Sequence, residues 1–203
     1  TPFQQNCTLI WDRATGKGAV IDPGGDVEDI LDAIHQAGIT VETIFLTHGH
    51  IDHVGGAEAL KTALGGVEIH GPHIADKQLC EGIERQAQMF GVPGQFHNVH
   101  PDKWLDEGDT IHIGGHPFEV FHCPGHAPGH VVFFSREARL AHVGDVLFSG
   151  SVGRTDLPGG DHEALISSIR NKLLPLGDDV AFICGHGPGS TFGRERQTNP
   201  YLR

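Results

Sequence analysis

Three histidines and an aspartate fall within six consecutive residues, at His48, His50, Asp52 and His53. In an extended or turning backbone, side chains two positions apart project to the same side, so His48 and His50 can converge on one point. Asp52 and His53 follow a turn and face a different direction. Imidazole and carboxylate groups together suit hydrolytic metal ions. The segment therefore predicts two neighbouring metal positions, and the alternative is a histidine-rich surface loop.

Three further candidate ligands each follow a predicted strand and have glycine beside them. A lone histidine after a strand is more often structural, but recurrence alongside the first motif favours metal binding. The expected arrangement has three histidines at one position, an aspartate and two histidines at the other, and a carboxylate bridging them: His48, His50 and His126; Asp52, His53 and His186; and Asp145.

Two more histidines, His122 and His130, flank the turn that carries His126. Histidine ligands need a hydrogen-bond partner on their second ring nitrogen, and residues that supply or support such partners are expected close by. These two are candidates for that supporting role. The histidines outside the motifs are expected to be surface or packing residues.

The elements that must position the ligands alternate between strands and helices. Residues 43–47 form a short apolar, β-rich run, which predicts a buried strand ending at the histidine motif. Ligands commonly gather at the carboxyl ends of such strands. By the same criteria, other strands are expected at 6–11, 18–21, 67–70, 110–113, 118–122, 131–134, 140–143 and 180–184.

Helices are predicted by apolar residues at helical spacing and by their end signals. Asp26 is expected to cap a helix that ends at Gly38, and Asp161 to cap one that runs to about Leu174. Two more helices are expected at 56–64 and 75–90. Without internal repeats or low-complexity linkers, this order indicates one α/β domain over residues 1–203, with helices outside two stacked sheets.

Composition excludes several classes of protein. A net charge of −12 without any Lys/Arg cluster argues against nucleic acid as a partner. No apolar run approaches the roughly 20 residues of a membrane span, and no signal-peptide pattern is present. The four cysteines lack any CxxC spacing and are expected to be reduced thiols in a cytoplasmic protein: Cys7, Cys80, Cys123 and Cys184.

These motifs resemble those of the metallo-β-lactamase superfamily, and within it the glyoxalase II (hydroxyacylglutathione hydrolase) branch in its short, single-domain bacterial form. The matching stretches extend over nearly the whole chain: Asp22-Pro23-Gly24-Gly25, Thr47 to Gly56, Cys123 to His130, Gly144-Asp145 and Gly185-His186-Gly187. The resemblance implies a four-layer αββα sandwich of two mixed β-sheets, with the metals at one edge. It also implies two divalent metal ions per chain, Zn before Fe or Mn.

The implied reaction is hydrolysis of a small-molecule thioester, S-2-hydroxyacylglutathione, to a hydroxy acid and glutathione, with S-D-lactoylglutathione as the first candidate. Two divalent ions activate water beside a carbonyl, and Asp52 and Asp145 are the expected catalytic carboxylates. The alternatives are a persulfide dioxygenase with one iron, a metallo-hydrolase of another ester, thioester or lactone, and a metal-binding or redox-sensing module without turnover. Intact His53 and His186 argue against the single-iron alternative.

The chain departs from the glyoxalase II pattern at the residues that would bind substrate. The helical C-terminal domain that contacts glutathione in two-domain enzymes is expected to be absent. Two family tyrosines are replaced by Pro188 and Asp156, whereas Arg154 is retained and its guanidinium can bind a carboxylate. Arg194 and Tyr201 are candidates for replacing the lost contacts, and the alternative is a solvated helix and tail. The oligomeric state stays open.

Overall fold

The computed structural model describes residues 2–203, which fold into strands and helices that alternate along the chain. The strands are β1 (Thr8–Trp11), β2 (Lys17–Ile21), β3 (Thr40–Phe45), β4 (Glu68–His70), β5 (Thr110–Ile113), β6 (His116–His122), β7 (Val131–Ser135), β8 (Leu140–Gly144), β9 (Leu147–Phe148), β10 (Ser151–Val152), β11 (Ala181–Cys184) and β12 (Ser190–Thr191). The α-helices are α1 (Val27–Ala37), α2 (Ile51–Val54), α3 (Ala57–Ala63), α4 (Lys77–Cys80), α5 (Ile83–Phe90), α6 (His162–Ser168) and α7 (Phe192–Thr198). None of the helices within residues 2–203 is long and apolar enough to cross a bilayer.

Two mixed β-sheets form the centre of the fold. The first has the order β1-β2-β3-β4, in which β1 is antiparallel to β2 and the other pairs are parallel. The second has the order β12-β11-β8-β7-β6-β5 and is antiparallel except between β11 and β8. A separate two-stranded ribbon pairs β9 with β10.

Apolar side chains from both sheets fill the space between them. Ile21 and Phe45 of the first sheet belong to the same buried cluster as Phe118 and Phe133 of the second. The rings of Phe45 and Phe133 lie 5.7 Å apart between centroids. Because side chains alternate along a strand, the neighbours of Phe133 point away from this cluster and into the outer layer.

Helices cover the outer face of each sheet. Ile30 and Ile34, four positions apart on α1, pack in one buried cluster with Leu60 of α3 and Ile44 of β3. On the other side, Leu165 of α6 packs with outward-facing residues of β7 and β8. The layers are therefore helix, sheet, sheet, helix, and the predicted four-layer αββα sandwich is confirmed.

The predicted helix at residues 75–90 is wrong as one continuous element. It is divided into a 3₁₀ turn at Ile74–Asp76, then α4 and α5, because the carbonyl of Cys80 accepts a hydrogen bond from the distant backbone N–H of Val99. The helix predicted to reach about Leu174 also ends its α-helical part early, at Ser168. A π-helical turn and a 3₁₀ turn continue it to Leu176.

Two of the three predicted helix-end signals are confirmed. The Asp161 side chain accepts a hydrogen bond from the backbone N–H of Ala164, and Gly38 ends α1 in the left-handed conformation with φ of 65°. Asp26 precedes α1 with φ of 50°, but its side chain makes no capping hydrogen bond, so that part of the prediction is wrong. The four cysteines are free thiols, as predicted.

Candidate metal centre

All seven predicted ligands lie at one edge of the sandwich. His48 follows β3, His126 lies between β6 and β7, Asp145 follows β8 directly, and His186 follows β11. Because β8 and β11 are parallel neighbours, their carboxyl ends bring Asp145 and His186 together. The short helix α2 begins inside the histidine motif, so Asp52 and His53 stand one helical turn beyond His50.

The ligand atoms form three overlapping groups, each with its atoms within 4.8 Å of one another. The groups are His48, His50 and His126; His48, His53 and Asp145; and Asp52, His53 and His186. The first and third are the two sets predicted from the sequence. His50 Nδ1 and His126 Nε2 approach to 2.9 Å in the first set, and Asp52 Oδ2 and His186 Nε2 to 3.2 Å in the third.

Asp145 lies between the two sets. Its Oδ1 is 3.3 Å from His53 Nε2, and its Oδ2 is 3.4 Å from His186 Nε2 and 3.6 Å from His126 Nε2. The side chain therefore contacts members of both sets at once. This is the position that a bridging carboxylate requires.

A buried hydrogen-bond chain that begins at Asp22 orients two of the histidines. The Asp22 carboxylate accepts from the backbone N–H and the hydroxyl of Thr47, each at 2.7 Å, and from His53 Nδ1 at 2.9 Å. Since the Thr47 hydroxyl donates to Asp22, its oxygen accepts from His48 Nδ1 at 3.0 Å. Both rings thus carry their proton on Nδ1 and present the lone pair of Nε2 to the site.

Backbone groups orient the other side of the centre. His126 Nδ1 donates to the carbonyl of Arg154 at 2.8 Å, which leaves its Nε2 lone pair facing His50. His130 stacks on the His48 ring at 4.6 Å and accepts the backbone N–H of Asp145 at 3.0 Å. His130 therefore contacts one residue from each half of the centre, in keeping with its predicted supporting role.

The donor atoms fit a cationic metal. His48 Nε2, His53 Nε2 and Asp145 Oδ1 are buried and have no hydrogen-bond partner among residues 2–203. A buried polar atom without a partner costs about 1–3 kcal/mol, so three at one point indicate that something else satisfies them. Imidazole nitrogens and carboxylate oxygens suit Zn, Fe or Mn, and the centre contains no thiolate that would narrow the choice.

Electrostatics divide the histidines into two kinds. Burial, reinforced by neighbouring imidazoles, lowers the pKa of His48 well below its usual range and that of His50 to about 3. Hydrogen bonds to Asp145 and Asp52 instead raise the pKa of His186 to about 9. The imidazoles of the three-histidine set are thus neutral, and their nitrogen lone pairs can bind a metal ion. In the set that holds His186, the carboxylates of Asp52 and Asp145 favour a positive charge.

Asp76 joins the two loops that carry His48, His50 and His126. Its fully buried carboxylate accepts the backbone N–H of Gly49 at 2.8 Å and that of Gly129. Burial raises the pKa of Asp76 to about 6, although both hydrogen bonds favour the charged form. The sequence analysis missed this residue because nothing local marks it, and only the tertiary fold brings residues 49 and 129 to it.

We expect Asp76 to make the stability of the protein depend on pH. Because its pKa rises from about 3.9 in the unfolded chain to about 6 in the fold, its contribution is complete below pH ~4 and is lost as pH rises through 6. Between pH 4 and 7 the loss should be about 2 kcal/mol relative to Asp76→Asn, which does not titrate. Urea unfolding of both proteins at matched metal content measures it. If the unfolding free energy of the wild type instead rose with pH relative to that of Asp76→Asn, the hydrogen bonds to the Asp76 carboxylate would outweigh the effect of burial.

A cleft of ≈ 220 Å³ opens beside the ligands. Phe3, Phe90 and Leu157 form its apolar side, and Arg154 stands on the same wall. Arg154 is held in two hydrogen bonds of 2.7 Å each to Asp156, one of the two residues that replace family tyrosines. A thioester bound here would meet an apolar wall and a cation whose charge is already partly balanced.

The other predicted substrate residues lie away from this cleft. Arg194 is exposed on α7, and Tyr201 is half exposed in the 3₁₀ turn that follows. Neither lines the cleft within the described part of the chain. Substrate contacts by Arg194 and Tyr201 stay predictions.

Comparison with known proteins agrees with the fold. The family model of the metallo-beta-lactamase superfamily matches residues 1–186. "Hydroxyacylglutathione hydrolase GloC" from Haemophilus influenzae is 49% identical over 203 residues, which is 100% of this chain and 94% of that protein. "Hydroxyacylglutathione hydrolase" from Serratia proteamaculans is 32% identical over 91% of this chain but only 62% of its own length.

Solved structures give the same result. TTHA1623, described in a di-iron-bound form, is 38% identical with a TM-score of 0.87, and the match covers 100% of this chain and 97% of that one. The BLEG-1 B3 metallo-beta-lactamase is 34% identical with a TM-score of 0.90, over 100% and 96% of the two chains. With its αββα sandwich, its two His/Asp ligand sets and these relatives, the chain belongs to the metallo-beta-lactamase superfamily as a metal-dependent hydrolase.

Proposed function

We propose that the protein is a dinuclear metal-dependent thioesterase that hydrolyses S-2-hydroxyacylglutathione, with S-D-lactoylglutathione as the first substrate to test. The observation that carries the proposal is the placement of Asp145 within 3.3–3.6 Å of histidines from both ligand sets. The hydroxyacylglutathione hydrolase from H. influenzae, 49% identical over the full chain, supports the choice of substrate.

Two divalent ions bound by these residues would supply Lewis acidity and a water molecule of lowered pKa. The residues of the chain then have distinct roles. Asp22, through Thr47, holds His48 and His53 in the tautomer that leaves Nε2 free to bind a metal. His126 is held in the same way by the carbonyl of Arg154.

Asp52 is the residue placed to handle the proton of the attacking water. Its side chain is partly exposed, lines the cleft and lies 3.2 Å from His186. Although burial opposes it, the contact with His186 lowers the pKa of Asp52, so the carboxylate is ionised at neutral pH and orients water by accepting its hydrogen.

The cleft completes the arrangement for a thioester. Its apolar wall, formed by Phe3, Phe90 and Leu157, would contact the acyl group of the thioester. In the reaction a C–O bond forms, the C–S bond breaks, and water provides the oxygen of the acid and the hydrogen of the thiol. At neutral pH the acid product releases one proton.

The first experiment combines metal analysis with a hydrolysis assay on the purified protein. We expect about two Zn, Fe or Mn ions per chain and release of free thiol from S-D-lactoylglutathione, with kcat/KM of about 10⁴ M⁻¹s⁻¹ or more. A β-lactam and a simple carboxylic ester serve as comparison substrates. A protein that holds two metals yet leaves the thioester intact at neutral pH contradicts the proposal. Oxygen consumption with glutathione persulfide would instead support the single-iron alternative.

A further inference from the structure

The cleft beside the metal ligands is too small to hold a complete carrier-linked thioester. Its volume is ≈ 220 Å³, whereas pockets for small-molecule ligands span roughly 300–1,000 Å³. The reacting carbonyl and a short acyl group can occupy it. The thiol carrier must therefore extend into a neighbouring space.

A separate groove of ≈ 680 Å³ lies on the side of α4 and α5. The linings of the two spaces are neighbours in the chain: Gln86 and Leu157 line the cleft, and the adjacent Arg85 and Pro158 line the groove. Pro128, two positions after His126, forms part of the floor.

The groove carries one uncompensated positive charge. Arg85 is exposed and takes part in no ion pair or side-chain hydrogen bond within residues 2–203. Glu81, the other charged residue of the lining, is paired with Lys77 at 2.6 Å. Arg154 in the adjacent cleft is likewise paired, with Asp156. Arg85 is therefore the cation that a carboxylate on the carrier can reach without displacing a protein partner.

A second space adjoins the cleft but offers no cationic side chain to an anionic carrier. It has a volume of ≈ 240 Å³ and meets the cleft at Phe3, Ile51 and Asp52. Asp26 and Asp52 are its charged residues, and its lining includes no Lys, Arg or His. A carboxylate of the carrier therefore finds a cationic partner at Arg85 in the groove and none in this second space.

We infer that the groove between the α4–α5 segment and the loop at residues 157–159 is the subsite for the thiol carrier, and that Arg85 binds a carboxylate of a peptide-like carrier there. The inference rests on the proposed function, because it takes thioester hydrolysis as the reaction at the metal centre. Gln78 on α4 adds amide groups that can hydrogen-bond to the peptide bonds of the carrier. The subsite thus provides contacts on the catalytic domain itself.

The test compares Arg85→Gln with Arg13→Gln, which removes a second exposed and unpaired arginine from the β1–β2 loop. S-methylglutathione, which cannot be hydrolysed, is titrated calorimetrically into the metal-loaded proteins. We expect Arg85→Gln to weaken its binding about three- to tenfold and Arg85→Glu to weaken it further, while Arg13→Gln binds as the wild type does. Melting temperatures should be unchanged in all three variants.

Kinetics separate the subsite from the reaction. For S-D-lactoylglutathione, Arg85→Gln should raise KM by the same factor at unchanged kcat. For the lactoyl thioester of N-acetylcysteamine, whose carrier has no carboxylate, it should change neither constant. The subsite would be overturned if Arg85→Gln left both the binding of S-methylglutathione and the KM for S-D-lactoylglutathione unchanged. It would also be overturned if Arg85→Gln raised KM equally for both thioesters, or if the wild type did not bind S-methylglutathione. If Arg85 governs binding but neither thioester is cleaved, the subsite stands and the proposed reaction fails.

Discussion

Replacing Asp145 by Asn is expected to lower kcat/KM about 10³-fold and to reduce the metal content from two ions per chain to one or fewer. The amide keeps the size of the side chain but removes the negative charge that faces His53, His126 and His186. Because that charge faces histidines of both ligand sets, its loss should weaken metal binding at both sets, at a cost of several kcal/mol. Metal analysis and the thioester assay on the same sample measure the two effects together.

The control for Asp145→Asn is Asp32→Asn on the exposed face of α1. It makes the same change of net charge far from the ligands, so activity and metal content should stay at wild-type values. If Asp145→Asn kept two ions and most of its activity, the bridging role would be wrong, and the two sets would have to bind their ions independently.

Replacing Gly185 by Ala is expected to reduce activity at least 100-fold while the protein stays folded. A Cβ at this position would lie 2.0 Å from Asp145 Oδ1 and 2.6 Å from His53 Cε1, so the bridging carboxylate must leave its place. Displacing a ligand by about 1 Å is enough to cost 10²-fold. Metal per chain, activity and thermal unfolding of the variant are the measurements.

Gly187→Ala is the matched control, two residues further along the same loop. Gly187 has φ of 72°, which costs alanine about 1–2 kcal/mol, but a Cβ there has no neighbour within 4 Å. Gly187→Ala should therefore unfold at a lower temperature but keep its metal content. Gly185→Ala should lose metal while its unfolding temperature changes little. Wild-type metal content and activity in Gly185→Ala would mean that the loop shifts to accommodate the methyl group.

The ligands could be predicted from the sequence because their signal is local. Each one lies in one short motif or in the loop that follows a strand, and the parallel pairing of β8 with β11 then brings Asp145 and His186 together. The division into two sets followed from the two-residue spacing of His48 and His50. The four-layer fold followed from the order of strands and helices together with the motif resemblance.

The groups that orient the ligands could not be predicted in the same way. Asp22 lies in a stretch whose proline and glycines indicate only the end of a strand, and its contacts with Thr47 and His53 depend on β2 and β3 pairing in parallel. Asp76 and the carbonyl of Arg154 act across similarly long separations in sequence. Backbone carbonyls carry no residue-specific signal at all.

The break at residues 81–82 was missed for a similar reason. Residues 75–90 have helical composition, and no local feature predicts that the carbonyl of Cys80 will bond to Val99. The interruption matters for function because α4 and α5 meet there at the groove that contains Arg85. One continuous helix over residues 75–90 would turn different side chains toward the cleft.

The order of the ligands along the chain has a consequence for synthesis of the protein. The three-histidine set is complete once residue 126 has been made, but the second set needs His186, whose loop is fixed by the Asn6 backbone N–H donating to Gly185 at 2.7 Å. During translation from the N-terminus, a ribosome-bound chain therefore has all three histidines of one ligand set while the other set still lacks His186. The two ligand sets are not completed at the same moment of synthesis.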